Sequence, residues 1–332
     1  MKNLPEAMER AGEGLSAEFG TKGPPEIMPD LTGYAHPRYA LSLKGFGEPR
    51  PLLHCGGWLL ERPIPGTSYK DGMGCYPLFA CRDWSRLHRD LENMSGELVS
   101  LSLVTDPFGE YDVAYLRRCF RDIVIPFKQH FVTDLNVPMD TRVCQNHRRN
   151  ARKALQAVYL ERCTDAVAFI DDWTRLYAVL VERHHIRGIS AFSRSAFLQQ
   201  LDIPGIVVFR AAHGGSTVGM LLWYIRNDVA YYHLGAYDPL GYELKASFAL
   251  FWFAMDYFCT TGVRWLDIGA GAGVNGCGTD GLTRFKRGWS TETRPAYFCG
   301  LILDPPRYRQ LAGMKGMPAT EYFPAYRIGE FG

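Results

Sequence analysis

Two stretches of this chain combine residue types and spacing that suit chemistry. The first is Trp265-Leu266-Asp267-Ile268-Gly269-Ala270-Gly271-Ala272-Gly273, a strand-like segment that ends in glycines. Glycines there let backbone amides come close to a phosphate or nucleotide. The second is Gly281-Leu282-Thr283-Arg284-Phe285-Lys286-Arg287-Gly288-Trp289, three cations around one aromatic. Basic residues recur in two places. Residues 141 to 160 hold Arg142, Arg148, Arg149, Arg152 and Lys153 with no acid, and 281 to 315 hold seven cations against Glu292 and Asp304. A phosphate-binding face and a solvated helix face both fit these clusters.

Other candidates are single residues. Asp238 and Tyr237 end a strand-like run, and Asp238-Pro239-Leu240-Gly241 also reads as a turn. His233 alternates with Tyr231, so both face one side of that strand; a buried histidine and a base are both consistent with it. His184 and His185 are adjacent on a helix and point about 100° apart, so no metal site is expected. The nine cysteines form no CxxC pair and read as reduced thiols. No convincing Ser/His/Asp arrangement is present.

These residues need elements to hold them. Residues 31 to 95, rich in Gly and Pro, read as irregular structure with short strands. Val99–Val104 alternates as a strand, 110 to 122 suits a helix, and 130 to 135 a strand. Helices are expected over 141 to 159 and 166 to 185. Three β-rich runs, 206 to 212, 218 to 225 and 229 to 237, are joined by short Gly- or Asn-bearing turns, which predicts an antiparallel meander. A helix over 244 to 261, apolar almost all round, is expected to be buried. A strand at 263 to 268 follows, parallel to 229 to 237. A short helix at 282 to 289, a strand at 295 to 303 and a Pro-rich tail complete the chain.

The chain has 332 residues, 47% hydrophobic and 22% charged, with net charge +2. That excludes wholesale disorder and a protein-wide basic surface. No apolar run approaches the roughly 20 residues of a membrane span. The N-terminus has no signal-peptide core, so a cytoplasmic address is expected. A division into a flexible arm (1–30), an N-terminal lobe (31–160) and a C-terminal lobe (161–332) is expected.

The glycine-rich run resembles the first motif of methyltransferases that use S-adenosylmethionine. That motif opens a doubly wound sheet, whereas only one helix, one strand and a tail follow Gly273. A methyltransferase is therefore the lesser alternative. The combination of meander, apolar helix, Gly262…Asp267-Ile268-Gly269 and Gly281-Leu282-Thr283-Arg284-Phe285-Lys286 resembles the FemAB-type branch of the GNAT acyltransferase superfamily. Asn146-His147-Arg148-Arg149-Asn150-Ala151-Arg152-Lys153 is similar to that branch's basic helix. The resemblance implies an α/β fold with a mixed sheet, two GNAT-like lobes and a cleft between them.

It also implies amide-bond formation, with the acyl group taken from a CoA thioester or from aminoacyl-tRNA. The donor is then a co-substrate, with no tightly bound cofactor and no metal. Aminoacyl-tRNA is the favoured donor, acyl-CoA the runner-up, and a small-molecule or peptide amine the acceptor. Lys286 is the expected oxyanion stabiliser, with Asp238 and His233 as further catalytic candidates. Arg284, Phe285, Arg287, Lys245, Ser247, Arg148, Arg149 and Arg152 are expected at the donor. Tyr237, Arg183 and Arg187 are expected at the acceptor. The loop from Asp238 to Ser247 lacks the usual CoA-binding pattern Gln/Arg-x-x-Gly-x-Gly/Ala, and Glu243 would repel phosphate.

Overall fold

A computed structural model describes residues 31–94, 96–271, 280–314 and 322–330. The expected arm, part of the glycine run, Cys277 and Lys315 lie outside them. Eleven strands form one sheet: β1 (Glu48–Leu52), β2 (Gly57–Pro63), β3 (Lys70–Gly74), β4 (Ser100–Val104), β5 (Ile123–Asp134), β6 (Tyr159–Cys163), β7 (Ile206–His213), β8 (Ser216–Arg226), β9 (Val229–Tyr237), β10 (Trp265–Gly269) and β11 (Glu292–Ile302). Their order is β1-β2-β3-β4-β11-β5-β10-β9-β8-β7-β6. The fold is thus α/β with a mixed sheet. One half is built from β1–β5 and β11, the other from β6–β10, and β5 pairs with β10 where the halves meet.

The meander is β7-β8-β9, antiparallel throughout. Its Gly214-Gly215 turn has both residues at positive φ, which suits the tight hairpin. The helix Ala246–Cys259 then crosses over, and β10 lies parallel to β9. Its sequence is apolar on nearly every side because the sheet packs on one side and the basic helix Gln145–Ala154 on another. Phe251, 1% exposed, touches Trp223, Tyr232, Phe285 and Trp289.

Several expected boundaries move. The basic helix stops at Ala154, because Tyr159–Cys163 leaves it to become edge strand β6, paired with β7. The stretch 31 to 95 holds the expected short strands, three of them paired, and adds short helices that were not expected. The tail contains the helix Pro305–Met314. Its prolines occupy the first turn, where no backbone N–H is needed, and Asp304 accepts from the Arg307 N–H at 3.0 Å. Among the described residues no helix is long and apolar enough to cross a membrane.

The aromatic cluster on Phe251 joins the sheet to the segment that carries Lys286. Phe251→Ala is expected to cost about 3–5 kcal/mol of stability in urea unfolding. A loss below about 1 kcal/mol would show that the cluster is not a shared core.

Candidate active site at the split of the sheet

β9 and β10 pair only over Trp265–Asp267, and β10 ends at Gly269. β9 continues to Tyr237, and on the other side β5 continues past its Phe131–Gly269 pairing towards Ile123. A wedge therefore opens between β5 and β9. Gly269 has φ +77°, which turns the chain out of the sheet at this point.

Lys286, from the short helix Gly281–Arg287, reaches into the wedge. It is 7% exposed and its Nζ donates to the Ala270 carbonyl at 2.6 Å. The ammonium lies 5.8 Å from the centre of the Tyr232 ring on β9. Burial pulls its pKa down to about 8; Asp267 and Asp280 pull it up, and Lys128 pushes it further down. Asp280 caps the helix through the Thr283 N–H at 2.9 Å. Phe285 anchors the helix against Phe248, Phe251 and Trp289.

The basic helix is bolted to the same place. His147 Nε2 bonds the Phe285 carbonyl at 2.9 Å, and the Cys144 N–H donates to the Gly288 carbonyl at 3.0 Å. The imidazole packs so tightly on Gly288 that a Cβ there would lie 2.3 Å from its ring. Burial lowers the His147 pKa. Lys245, at φ +56°, heads the apolar helix and donates to Asn150 Oδ1 at 3.1 Å. Arg149, Arg152, Arg284 and Arg287 are exposed, Arg148 and Ser247 half-buried. The structure thus gathers the expected donor residues around the Lys286 segment, although they come from three separate parts of the chain.

The other candidates divide. Tyr237 is buried, its hydroxyl has no partner among the described residues, and its ring lies 5.5 Å from Tyr242. Arg183 stacks on Tyr242 at 4.2 Å, so two of the three acceptor candidates meet there; Arg187 is exposed. Asp238 is occupied otherwise: it accepts the Gly241 N–H at 2.7 Å and faces Arg175 at 3.6 Å. It acts as a helix cap, which corrects its assignment as a proton acceptor. His233 is corrected likewise. It sits on the opposite face of the sheet, bonded to Tyr34 and Gln200, and burial lowers it to about 3, too low for a base.

Sequence reading missed three features. His130 and Asp267, 137 residues apart, form a buried pair. Asp106, fully buried, accepts from the Tyr231 hydroxyl and from Arg226 at 3.1 Å. Burial pushes the Asp106 carboxyl up. Arg226, Arg294, Trp84, Phe108, Tyr231 and Trp265 line a cavity of 230 Å³ between the two halves. None of these pairs is local in sequence, so no spacing rule finds them. Among the described residues no group of three His, Cys, Asp or Glu side chains is placed to hold a metal.

Residues 141–287 match the family described as acetyltransferase (GNAT) domain. Those residues are a GNAT domain. The match spans the basic helix, the meander, the apolar helix and the Lys286 segment. The fold is similar to the crystal structure of FemX, with TM-score 0.63 and 14% identity over 85% of this chain and 95% of that one. It is also similar to the C-terminal domain of a putative lysylphosphatidylglycerol synthetase from Agrobacterium fabrum, with TM-score 0.59 and 12% identity over 84% and 90%. L-PGS from Bacillus licheniformis follows, with TM-score 0.53 and 15% identity over 82% and 93%. No curated protein sequence matches the chain. The matched residues run through a meander and one crossover, and residues 269–271 lie at the end of the tenth of the eleven described strands rather than after the first strand of a doubly wound sheet.

The buried ammonium has a measurable signature. The unfolded chain keeps the Lys286 proton to higher pH than the folded one does. Wild-type stability relative to Lys286→Met therefore rises between about pH 8 and the ordinary lysine value near 10.4, by about 3 kcal/mol. Denaturant titrations of both proteins across that window test this, and a pH-independent difference would contradict it.

Proposed function

We propose that the protein forms amide bonds by direct transfer of an acyl group to an amine, with an aminoacyl group on tRNA as the donor. The observation that carries this reading is Lys286, a buried cation at the end of a broken strand in a GNAT domain. A neutral amine attacks the donor ester carbonyl, and a C–N bond forms as the carbonyl oxygen becomes an oxyanion. The Lys286 ammonium stabilises that charge as it develops. Collapse breaks the C–O bond, and the proton shed by nitrogen goes to the leaving ribose oxygen. No resident cofactor takes part.

The basic rim of Arg148, Arg149, Arg152, Lys245, Arg284 and Arg287 supports a polyanionic donor. A structural relative named for synthesis of lysylphosphatidylglycerol fits aminoacyl chemistry. Tyr237, Tyr242, Arg183 and Arg187 line the path proposed for the acceptor. Acyl-CoA remains the second reading, favoured by the acetyltransferase description of the family. Against it, Glu243 is exposed just before the apolar helix and would repel phosphate.

Single-turnover transfer with charged tRNA tests the proposal. Lys286→Met is expected to lower the rate about a hundredfold or more while donor affinity changes little. Arg148, Arg149 and Arg152 replaced together are expected to flatten the salt dependence of tRNA binding. Binding and turnover of acyl-CoA, with no tRNA bound at low salt, would install the second reading.

A further inference from the structure

We propose that Asp267, clamped by His130, is the positioning residue that holds Lys286 as an ammonium at the mouth of the split. This rests on the reading of Lys286 given above. Asp267 lies on β10, 2% exposed, two residues before the strand ends. His130 Nδ1, from β5, lies 2.9 and 3.0 Å from its two oxygens. The same carboxylate accepts the Gly269 N–H at 2.8 Å. Gly269 begins the turn, and the next carbonyl, Ala270, receives the lysine at 2.6 Å. A Cβ at Gly269 would sit 3.1 Å from Nζ, so the turn and the ammonium are in direct contact.

A single run of contacts therefore leads from β5 through β10 and the turn to Lys286. Sheet pairing alone does not require it, because the β5–β10 ladder forms through backbone bonds. A buried carboxylate is costly unless its charge is used. Among the described residues the charged and aromatic groups around Lys286 come from four elements. β10 supplies Asp267; β5 supplies Lys128, a like charge; the cap of its own helix supplies Asp280; and β9 supplies the Tyr232 ring. Of the two carboxylates, Asp267 is the buried one, where screening by water is weakest. Its negative charge opposes both burial and Lys128. Among the described residues one proton of the ammonium is committed, to Ala270, which leaves the others for a donor carbonyl.

The test reads Lys286 directly, with the full chain labelled with ¹³C at lysine Cε and the signal assigned by its loss in Lys286→Met. Asp267→Asn keeps the shape and the acceptor for Gly269. It is expected to lower the Lys286 titration midpoint by about one pH unit, and the alkaline limb of transfer by the same amount. Asp134→Asn, a carboxylate at the far end of the β5–β10 ladder, is expected to change neither. His130→Asn presents a donor in place of Nδ1 and is expected to retain the wild-type midpoint, whereas His130→Ala lowers it. An unchanged midpoint in a folded Asp267→Asn overturns the proposal. Should that variant not fold, His130→Ala decides: an unchanged or raised midpoint overturns the clamp. The titration needs no substrate, so absence of transfer from charged tRNA would defeat the proposed function and leave this result standing.

Discussion

The structure turns on the early end of one strand. β10 has strand neighbours on both sides up to Asp267 and pairs with β5 alone at Gly269, and beyond it β5 and β9 run on without it. Backbone groups and side chains at the edges of that wedge face a space the sheet does not fill. Among the described residues it is reached by the Lys286 ammonium, carried on a helix of seven residues. So short a helix has no stability of its own, and its place is set by tertiary contacts. Those contacts are the Asp280 cap, the Phe285 ring in the Phe248–Phe251–Trp289 cluster, and the Ala270 carbonyl.

This explains why distant segments belong to one site. The basic helix lies more than 130 residues before Lys286, yet His147 bonds the carbonyl of the residue just before the lysine. The same ring fills the space that a side chain at Gly288 would need. Lys245 ties the head of the apolar helix to Asn150 on the basic helix. The basic surface and the buried ammonium are thus mechanically coupled, with one exposed to solvent and the other withdrawn from it. That division suits the proposed donor, which has a charged body and a reactive end.

How much of this was legible depended on whether the signal was local. The meander could be read because alternation and turn residues act within a few positions: Val229–Tyr237 was expected as a strand and is one. The burial of the apolar helix followed from its composition. The helix Pro305–Met314 lies in what the sequence offers only as a Pro-rich tail; its two prolines occupy a first turn, where they are neutral. β6 falls between the two expected helices, 141 to 159 and 166 to 185, and has no local signal because its ladder partner is β7, far along the chain. Lys286 and Phe285 were found by motif, but that the lysine is buried and bonded to the Ala270 carbonyl, just past a carboxylate paired with a histidine, required the fold. His233 and Asp238 show the converse: polar residues beside the expected site whose bonds are used up by Gln200, Tyr34, Gly241 and Arg175.

The central claim is that the acyl group reacts in the wedge, against Lys286. A crystal structure with a non-reactive amide analogue of an aminoacylated tRNA end tests it most directly. The carbonyl oxygen of the analogue is expected within hydrogen-bond distance of Lys286 Nζ, between β5 and β9. An analogue bound with its carbonyl elsewhere, for instance in the cavity lined by Arg226 and Arg294, would contradict the claim.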